Sequence, residues 1–448
     1  FFQVLLWGAF TAGMVPLASR PLLRAGATAF DNLQMGDLLG SFVVVMVLFI
    51  IPVTLLGMVS PFAIRLAITD PEQAGKISGR IYAISTLGSF IGTFLPVLVL
   101  IPWLGTTNTF ISLSVYLMLV ALIGLGRSAG WKKALVWVWM PVVLIVIGVL
   151  WAQGAFKNTP GQIFEKESAY NYIEVVQDGD YTMLRLNDGQ GVHSMYNPNE
   201  LNYGGPWQQF LAGPFFYPGE TPGDVKRIAI IGLAAGTTAR QATEVFGPVP
   251  IDGYEIDPEI IEVGQTYFGM TMPNLNAIAT DGRWGLYTSS EAYTIIGIDA
   301  YRPPYIPWHL TTQEFFELTR DHLVEDGVLV INVGRAPNDR SLIDALVTTL
   351  QTVFPSVHVM DIPNTLNSMV YATVQPTVIE DFVRNYAAMR EDPAVHPLLL
   401  NAMERVILNS QPLPNPTIVF TDDKAPVEMV VNQMVLKFIF TGEYEVLQ

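Results

Sequence analysis

Asp299 is the strongest candidate for proton transfer in this chain, because it follows directly on the apolar run 293–298. A carboxylate at the end of such a run is partly desolvated, which raises its pKa toward the range of a general base. We predict that Asp299 is catalytic, against the alternative that it only caps a loop or helix. The proline-rich segment 302–312 follows and is expected to form a pocket wall or lid, in which His309 is more typical of a packing residue.

Three further features suit a nucleoside ligand. The turn bounded by Gly232 and Gly236 lets backbone approach a ligand and aims the helix that follows it at that ligand. Glu255 closes the next apolar run, roughly 20 residues further on, where an acid can hold a ribose diol. Asp281 and Gly282 come later, where the carboxylate can accept from an adenine amino group. Each feature also has an explanation without a ligand: the glycines can form a tight turn, Glu255 can be a solvated acid, and Asp281 with Gly282 can form an ordinary turn. The prediction of a nucleoside site therefore depends on the three features occurring together.

The same residues fall at the ends of predicted strands. Apolar runs at 226–231, 250–255, 293–298 and 328–333 alternate with helical segments, which is typical of a parallel, doubly wound α/β sheet. Ligands of such sheets bind at the carboxyl ends of the strands. The alternating pattern at 165–196 predicts a small β-rich subdomain ahead of the sheet. We therefore expect a Rossmann-like α/β domain with a β-rich N-terminal extension.

The chain as a whole is too apolar for an ordinary soluble protein, which points to membrane spans. Half of all residues are hydrophobic and only 14% are charged, with a mean hydropathy of +0.37. Apolar stretches near the roughly 20 residues that a bilayer core requires predict five spans in the cell membrane, at 1–18, 38–59, 81–104, 109–125 and 134–151. Because residue 1 already lies within an apolar run, we expect the true N-terminus to lie upstream.

The predicted organisation has three parts. Residues 1–152 form an α-helical, multi-pass transmembrane region, with a polar loop at 20–37 between its first two spans. Residues 153–220 form a linker and the small β-rich subdomain, and residues 221–448 form the Rossmann-like domain. The lipid bilayer is therefore an expected partner of the first part only.

Charge is divided unevenly between these parts. The segment 1–152 carries a net charge of +4, against −16 for the whole chain, so the remainder carries −20. An acidic soluble part argues against a nucleic-acid partner and suits a cationic substrate. Basic residues near 76–80 and 127–133 place those loops in the cytoplasm and the soluble domain outside. A nucleoside ligand instead favours the cytoplasmic side, so the orientation stays open.

Six motifs, taken in order, resemble the spermidine synthase family, and in particular its membrane-fused bacterial branch. They are SAYNYIEV, IIGLAAGTTAR, YEIDPEII, DGR, IDAYRPPYIPWHLTTQEFF and TDDKAPVE. The membrane part, with LLGMVSPFAIRLA and GKISGRIYAISTLGSFIGTFLP, is also similar to that branch. The resemblance implies a class I methyltransferase-like fold. It also implies transfer of an aminopropyl group from decarboxylated S-adenosylmethionine to a diamine, with no metal.

The resemblance assigns a role to each candidate residue. Glu255 would bind the ribose, and Asp281 with Gly282 would bind the adenine. Asn171 stands where the family has a glutamine near the nucleoside, and Pro307 lies on the loop that covers it. Asp299 matches the proton acceptor that frees the amine lone pair for attack.

Three positions depart from the family pattern. Ala235 replaces the acid of the glycine motif, Arg302 replaces a second aspartate after the catalytic strand, and Tyr203-Gly204-Gly205 stands for Tyr-His-Glu at the diamine site. Three functions therefore stay open. The chain is an aminopropyltransferase with an altered acceptor amine, a non-catalytic subunit of a membrane complex, or a methyltransferase that uses S-adenosylmethionine. A homo-oligomer is a further expectation.

Overall fold

The computed structural model describes residues 1–33, 37–151, 159–187, 191–301 and 306–441. Contacts divide the chain into two units. One unit comprises Phe1–Pro160 with Glu165–Tyr172, and the other comprises Gly161–Phe164 with Ile173–Gln448. The first part of the predicted linker lies outside the described residues, which resume at 159.

The first unit is helical. Its helices are α1 (Phe2–Leu33), α2 (Asp37–Gly57), α3 (Val59–Ala67), α4 (Ala74–Leu95), α5 (Ile101–Ala129), α6 (Trp131–Leu135) and α7 (Trp139–Trp151). The predicted polar loop at 20–37 is wrong for most of its length, because α1 continues to Leu33. That segment is rich in Leu, Ala and Arg, which are good helix formers.

Small residues let these helices pack closely. A Cβ on Gly13 would lie 2.4 Å from Leu144 Cδ2, and a Cβ on Gly124 would lie 2.1 Å from Phe2 Cε1. Either addition would push helices apart, as expected where packing between apolar helices depends on small side chains. The outer faces are apolar as well, since Ile84, Phe90 and Leu98 are each more than 60% exposed.

Five described helical segments are long and apolar enough to cross a bilayer. They are Phe2–Ser19, Phe42–Ala67, Pro71–Leu100, Trp103–Ala129 and Trp131–Leu150. Their positions agree with the five apolar stretches of the sequence prediction. Length, composition and exposed apolar side chains are together what a lipid-facing helical bundle requires.

The strands form a small sheet and a large one. The small sheet has the order β1-β2-β3-β4, and the large one has the order β12-β10-β11-β9-β8-β5-β6-β7. The strands are β1 (Gln162–Glu167), β2 (Tyr172–Asp178), β3 (Tyr181–Leu186), β4 (Val192–Tyr196), β5 (Ile228–Ile231), β6 (Ile251–Glu255), β7 (Leu275–Ala279), β8 (Tyr293–Ile298), β9 (Leu323–Gly334), β10 (Ser356–Asp361), β11 (Asn367–Thr373) and β12 (Ser410–Gln411).

Helices cover both faces of the large sheet. They are α8 (Thr237–Phe246), α9 (Pro258–Tyr267), α10 (Gly282–Thr288), α11 (Gln313–Asp321), α12 (Ser341–Leu350), α13 (Ile379–Arg390), α14 (Pro397–Asn409) and α15 (Val427–Thr441). A 3₁₀ helix, Trp207–Phe216, precedes β5, and its residues are all buried. Two apolar cores result, one on each side of the sheet.

The strand pairing explains where a site can form. Strands β9, β8, β5, β6 and β7 are parallel, and β10, β11 and β12 add antiparallel pairs at one side. Every residue of β5 and β8 is buried, as expected for central parallel strands covered on both faces. The chain passes from β5 to β6 and β7 and then returns to β8, so the strand order reverses between β5 and β8. The predicted doubly wound α/β fold with a β-rich extension is confirmed.

Candidate nucleoside and proton-transfer site

The glycine turn and Asp299 meet at the point where the strand order reverses. Asp299 N–H donates to the carbonyl of Ile231 at 2.8 Å, which joins the ends of β8 and β5. Gly232 follows with φ +85°, and a Cβ there would lie 2.5 Å from the carbonyl oxygen of Asp299. Only glycine fits this close approach, since both the conformation and the space exclude a side chain. The turn therefore holds Asp299 at the switch point, where such sheets bind ligands.

Glu255 is oriented by the same turn. Its Oε2 accepts from Ala234 N–H at 3.0 Å, and its Oε1 accepts from Asp257 N–H at 3.1 Å. Ala234 has φ +47°, a conformation that non-glycine residues adopt rarely and at functional sites above all. Glu255 is 7% exposed, and burial raises the pKa of its carboxyl. Each oxygen keeps a second lone pair, so the carboxylate can still accept from a diol.

The small sheet docks on the remainder of the turn. Gly236, the residue before α8, has φ +82°. The next residue, Thr237, exchanges two hydrogen bonds of 2.9 Å with the backbone of Met195 on β4. Ala235 N–H donates to Ser194 Oγ at 3.0 Å, and its methyl group is buried. The position that the family fills with an acid thus serves packing here, while β4 forms one side of the site.

Asp299 faces a cavity of about 450 Å³. It is half-buried, and Asn332 Nδ2 donates to its Oδ1 at 2.8 Å. Burial raises the pKa of Asp299 to about 6, while the Asn332 hydrogen bond opposes that rise. A carboxylate with this pKa is ionised at neutral pH and accepts a proton more readily than a solvated one. The predicted proton acceptor therefore has a suitable pKa and faces an open space.

The cavity wall is mostly apolar. The described residues that line it are Gly191, Val192, His193, Pro206, Trp207, Ala234, Asp299, Tyr301, Asn332, Gly334, Arg335, Ala336, Pro337, Leu342, Leu366, Asn367, Val431 and Met434. Burial lowers the pKa of His193 to about 4, so this side chain is neutral at physiological pH. Arg335 is the only cation and Asp299 the only carboxylate among these lining residues.

Asp281 lies at the start of α10 and is engaged on both oxygens. Its Oδ1 caps the helix by accepting from Trp284 N–H at 3.0 Å, and its Oδ2 lies 2.9 Å from His309 Nε2. The bond to His309 holds the pKa of Asp281 below its usual range. A Cβ on Gly282 would lie 2.3 Å from Ile231 Cγ2, so glycine lets this turn approach β5. Pro307 precedes the 3₁₀ helix Trp308–Leu310 on the same loop as His309.

Two motifs that are distant in sequence bind each other. Arg283, in the DGR motif, forms a two-pronged ion pair with Asp422, in TDDKAPVE, at 2.7 and 2.6 Å. Thr312, which caps α11, also donates to Asp422 Oδ1 at 2.7 Å. Asp422 of the TDDKAPVE segment thus binds residues at the starts of α10 and α11. The sequence did not reveal this structural role.

The remaining predicted positions lie elsewhere. Asn171 belongs to the unit that contains the helical bundle. There its backbone N–H donates to Ser168 Oγ at 2.8 Å. Tyr203 donates to the carbonyl of Glu200 at 2.8 Å and is absent from the residues that line the cavity. Arg302 lies outside the described residues. No group of three or more side chains able to hold a metal occurs within the described part of the chain.

Several lining residues were not predicted from the sequence. Asn332 lies within the apolar run 328–333 near the end of β9 and is the one polar residue of that run, a signal that the strand-end rule does not use. Arg335 follows three residues later in an irregular turn and carries no such signal. Met434 belongs to α15, near the other end of the domain sequence from β5. Only the fold brings it to the cavity.

Comparisons with known proteins agree with the motifs. Residues 216–382 match the spermine/spermidine synthase domain. A probable polyamine aminopropyl transferase from Bifidobacterium longum is 30% identical over 280 residues, which cover 60% of this chain and 61% of that protein. The polyamine aminopropyltransferase of Vibrio vulnificus is 29% identical over 211 residues, covering 45% and 68% respectively. The chain therefore spans about three fifths of the first of these relatives.

Solved structures include similar folds. The crystal structure of spermidine synthase from Thermotoga maritima is 21% identical to this chain, with a TM-score of 0.45. The similarity covers 61% of this chain and 88% of that one.

Proposed function

We propose, from the match of residues 216–382 to the spermine/spermidine synthase domain, that this chain transfers an aminopropyl group from decarboxylated S-adenosylmethionine to an amine. The observation that carries the proposal is Asp299, a carboxylate with a pKa of about 6 at a cavity beside the glycine turn. A purely structural domain has no need of a half-buried carboxylate with a raised pKa at that point.

The chemistry requires one base and correct placement of two substrates. Asp299 takes a proton from the acceptor amine, and the freed nitrogen lone pair attacks the methylene carbon next to the sulfonium. The new N–C bond forms as the C–S bond breaks, and the electron pair of that bond returns to sulfur, giving methylthioadenosine. The apolar wall excludes water, which strengthens the electrostatic interaction between Asp299 and the acceptor amine.

The nucleoside would lie along the edge of the sheet from β5 to β7. In this proposal Gly232 and Gly236 let the backbone approach it, and Glu255 accepts from the ribose hydroxyls. Asp281 and Gly282 bind the adenine. Asp281 now bonds His309, so adenine binding would share or replace that contact. Pro307 is proposed as a further contact on the loop that covers the nucleoside, and Asn171 is proposed as a nucleoside contact from the family resemblance alone.

We also propose that residues 1–152 anchor the enzyme in the cell membrane. The five apolar helices and their exposed large side chains support this placement. Residues 153–220 would link the anchor to the catalytic domain at 221–448. The partners would then be the bilayer and a small amine, with a second copy or a membrane-complex subunit as further candidates.

A second candidate function is a binding or structural subunit without catalysis. The observation in its favour is that both Asp281 oxygens already have protein partners, while Ala235 is buried where the family has an acid. A domain that had lost its substrates would settle into such internal bonds.

The test is calorimetric binding to the purified full chain. S-adenosylmethionine, its decarboxylated form and methylthioadenosine are titrated into wild type, Asp281→Ala and the control Asp392→Ala. Asp392 is an exposed carboxylate just after α13, and it lines neither the Asp299 cavity nor the pocket beside Asp281. We expect binding by wild type and by the control, and at least tenfold weaker binding by Asp281→Ala. Binding of none of the three by folded wild type would contradict the transferase and leave the non-catalytic subunit.

Product analysis separates the two transferase chemistries. Aminopropyl transfer leaves methylthioadenosine, whereas methyl transfer from S-adenosylmethionine leaves S-adenosylhomocysteine. We expect the former, and we expect Asp299→Asn to abolish its formation without loss of nucleoside binding.

A further inference from the structure

Arg335 places a positive charge in the wall of the Asp299 cavity. It follows Asn332, the partner of Asp299, by three residues, which is at most about 10 Å of extended chain. Its side chain is 15% exposed, so most of the guanidinium is withdrawn from water. A charge held in this way requires a compensating partner.

The protein supplies only part of that compensation. Asp361 is the nearest carboxylate, but its oxygens already accept from Arg340 NH1 at 2.6 and 2.9 Å and from Ser368 Oγ at 2.6 Å. Arg335 Nε lies 3.6 Å from Asp361 Oδ1, beyond hydrogen-bonding distance. Two guanidinium groups therefore share one carboxylate.

The hydrogen bonds of Arg335 show the same deficit. One NH2 group donates to the carbonyl of Thr365 at 3.1 Å. The Nε is buried and has no hydrogen-bond acceptor among the described residues. A guanidinium offers five N–H donors in a planar fork that matches a carboxylate. The contacts of Arg335 among the described residues thus leave part of its hydrogen-bonding capacity unused.

The cavity is poorly suited to a second ammonium group. A diamine that presents one nitrogen to Asp299 carries a positive charge at its other end. Asp299 is the only carboxylate among the described lining residues, and Arg335 would repel that charge. A substrate pair that carries one carboxylate would instead balance Arg335.

We propose that Arg335 binds a carboxylate of the substrates that react at Asp299, an inference that rests on the transfer reaction proposed above. The carboxylate has two sources. It belongs to an amino-acid-like acceptor, or it belongs to S-adenosylmethionine itself, in which case the transferred group is 3-amino-3-carboxypropyl. In both cases the same C–S bond breaks, the same N–C bond forms, the amine proton goes to Asp299 and the carboxylate is unchanged.

Matched pairs of probes distinguish the two sources. The nucleoside arm compares S-adenosylmethionine with its decarboxylated form, by calorimetry on the full chain. The acceptor arm compares 4-aminobutanoate with 1,4-diaminobutane in the presence of methylthioadenosine, two compounds with an amine at one end and opposite charges at the other. The variants are Arg335→Met and Arg335→Lys, and the control is Arg340→Met, which removes the other guanidinium from Asp361 outside the cavity.

We expect wild type to prefer the carboxylate by about tenfold or more in at least one arm, and that arm identifies the source. Arg335→Met should lose the preference, Arg335→Lys should recover part of it, and Arg340→Met should keep it. Nucleoside binding with no carboxylate preference in either arm, or a preference that survives Arg335→Met, would overturn this inference alone. Absence of nucleoside binding would overturn the proposed function and this inference together.

Discussion

Removing the hydrogen bond between Asn332 and Asp299 should shift the pH dependence of the proposed transfer reaction. Asn332 Nδ2 donates to Asp299 Oδ1 at 2.8 Å and so favours the charged carboxylate. Burial favours the neutral acid and raises the pKa to about 6 in spite of this bond. Asn332→Ala leaves burial as the main influence, so the pKa must rise further.

The size of the shift follows from the strength of one charge-assisted hydrogen bond. Such a bond contributes about 1.5–3 kcal/mol, and each pKa unit corresponds to about 1.4 kcal/mol. Water that enters the space left by the amide would replace part of the bond. We therefore expect the pKa of Asp299 to rise by about 1, from about 6 toward 7.

The assay is the pH dependence of kcat/KM for release of methylthioadenosine. Because the base acts in its deprotonated form, activity falls as pH drops through the pKa of Asp299 in the free enzyme. The acidic limb should lie near pH 6 in wild type and about one unit higher in Asn332→Ala. The control is Asn367→Ala, which removes a second amide from the same cavity wall. An acidic limb that stays in place in Asn332→Ala, or moves equally in both variants, would refute this account of Asp299.

Three further outcomes are expected. Ionisation of Asp299 destabilises the fold as pH rises from about 4 to about 6, because its folded-state pKa of about 6 exceeds the unfolded value of about 3.9. These two pKa units correspond to about 3 kcal/mol, so Asp299→Asn should raise the free energy of unfolding at pH 7.5 by up to about 3 kcal/mol and match wild type at pH 4, as differential scanning fluorimetry would show. Gly232→Ala should cost at least about 2 kcal/mol more than Gly247→Ala in the same assay, since both glycines have positive φ but only Gly232 meets backbone. Asp422→Asn should cost at most about 1 kcal/mol because Asp422 is more than a third exposed, yet it should increase proteolysis near its partner Arg283.

Local sequence patterns were sufficient for the sheet and for part of the site. The apolar runs of β5 and β8 are long enough to identify buried parallel strands, and their order along the chain sets the topology. The polar residues that follow these runs must then share one sheet edge. Gly232, Glu255 and Asp299 could therefore be placed together from these patterns alone.

Contacts between distant segments were beyond such patterns. Arg283 and Asp422 are 139 residues apart, and the sequence around each of them does not predict an ion pair. Met434 reaches the cavity because α15 packs beside α12, which depends on the whole core. The start of α4 shows the same dependence within the helical unit, because the basic residues near 76–80 were assigned to a loop, whereas the structure has them in a helix that begins at Ala74. Local charge does not decide that boundary, since charged side chains can extend into water from a helix end.

The unfavourable features of the second unit bear on whether its site is functional. Ala234 adopts a left-handed conformation, Glu255 is a buried acid with a raised pKa, and Asp299 is another at the cavity. Each costs stability, and each could be relieved by a single substitution. They occur together at the reversal of strand order, where the fold binds ligands, rather than scattered through the unit. A domain that served only as a structural subunit would gain stability by losing them. Their concentration at one sheet edge therefore favours a working transferase over a degenerate one, and Arg335, a partly uncompensated charge in the same cavity, fits that pattern.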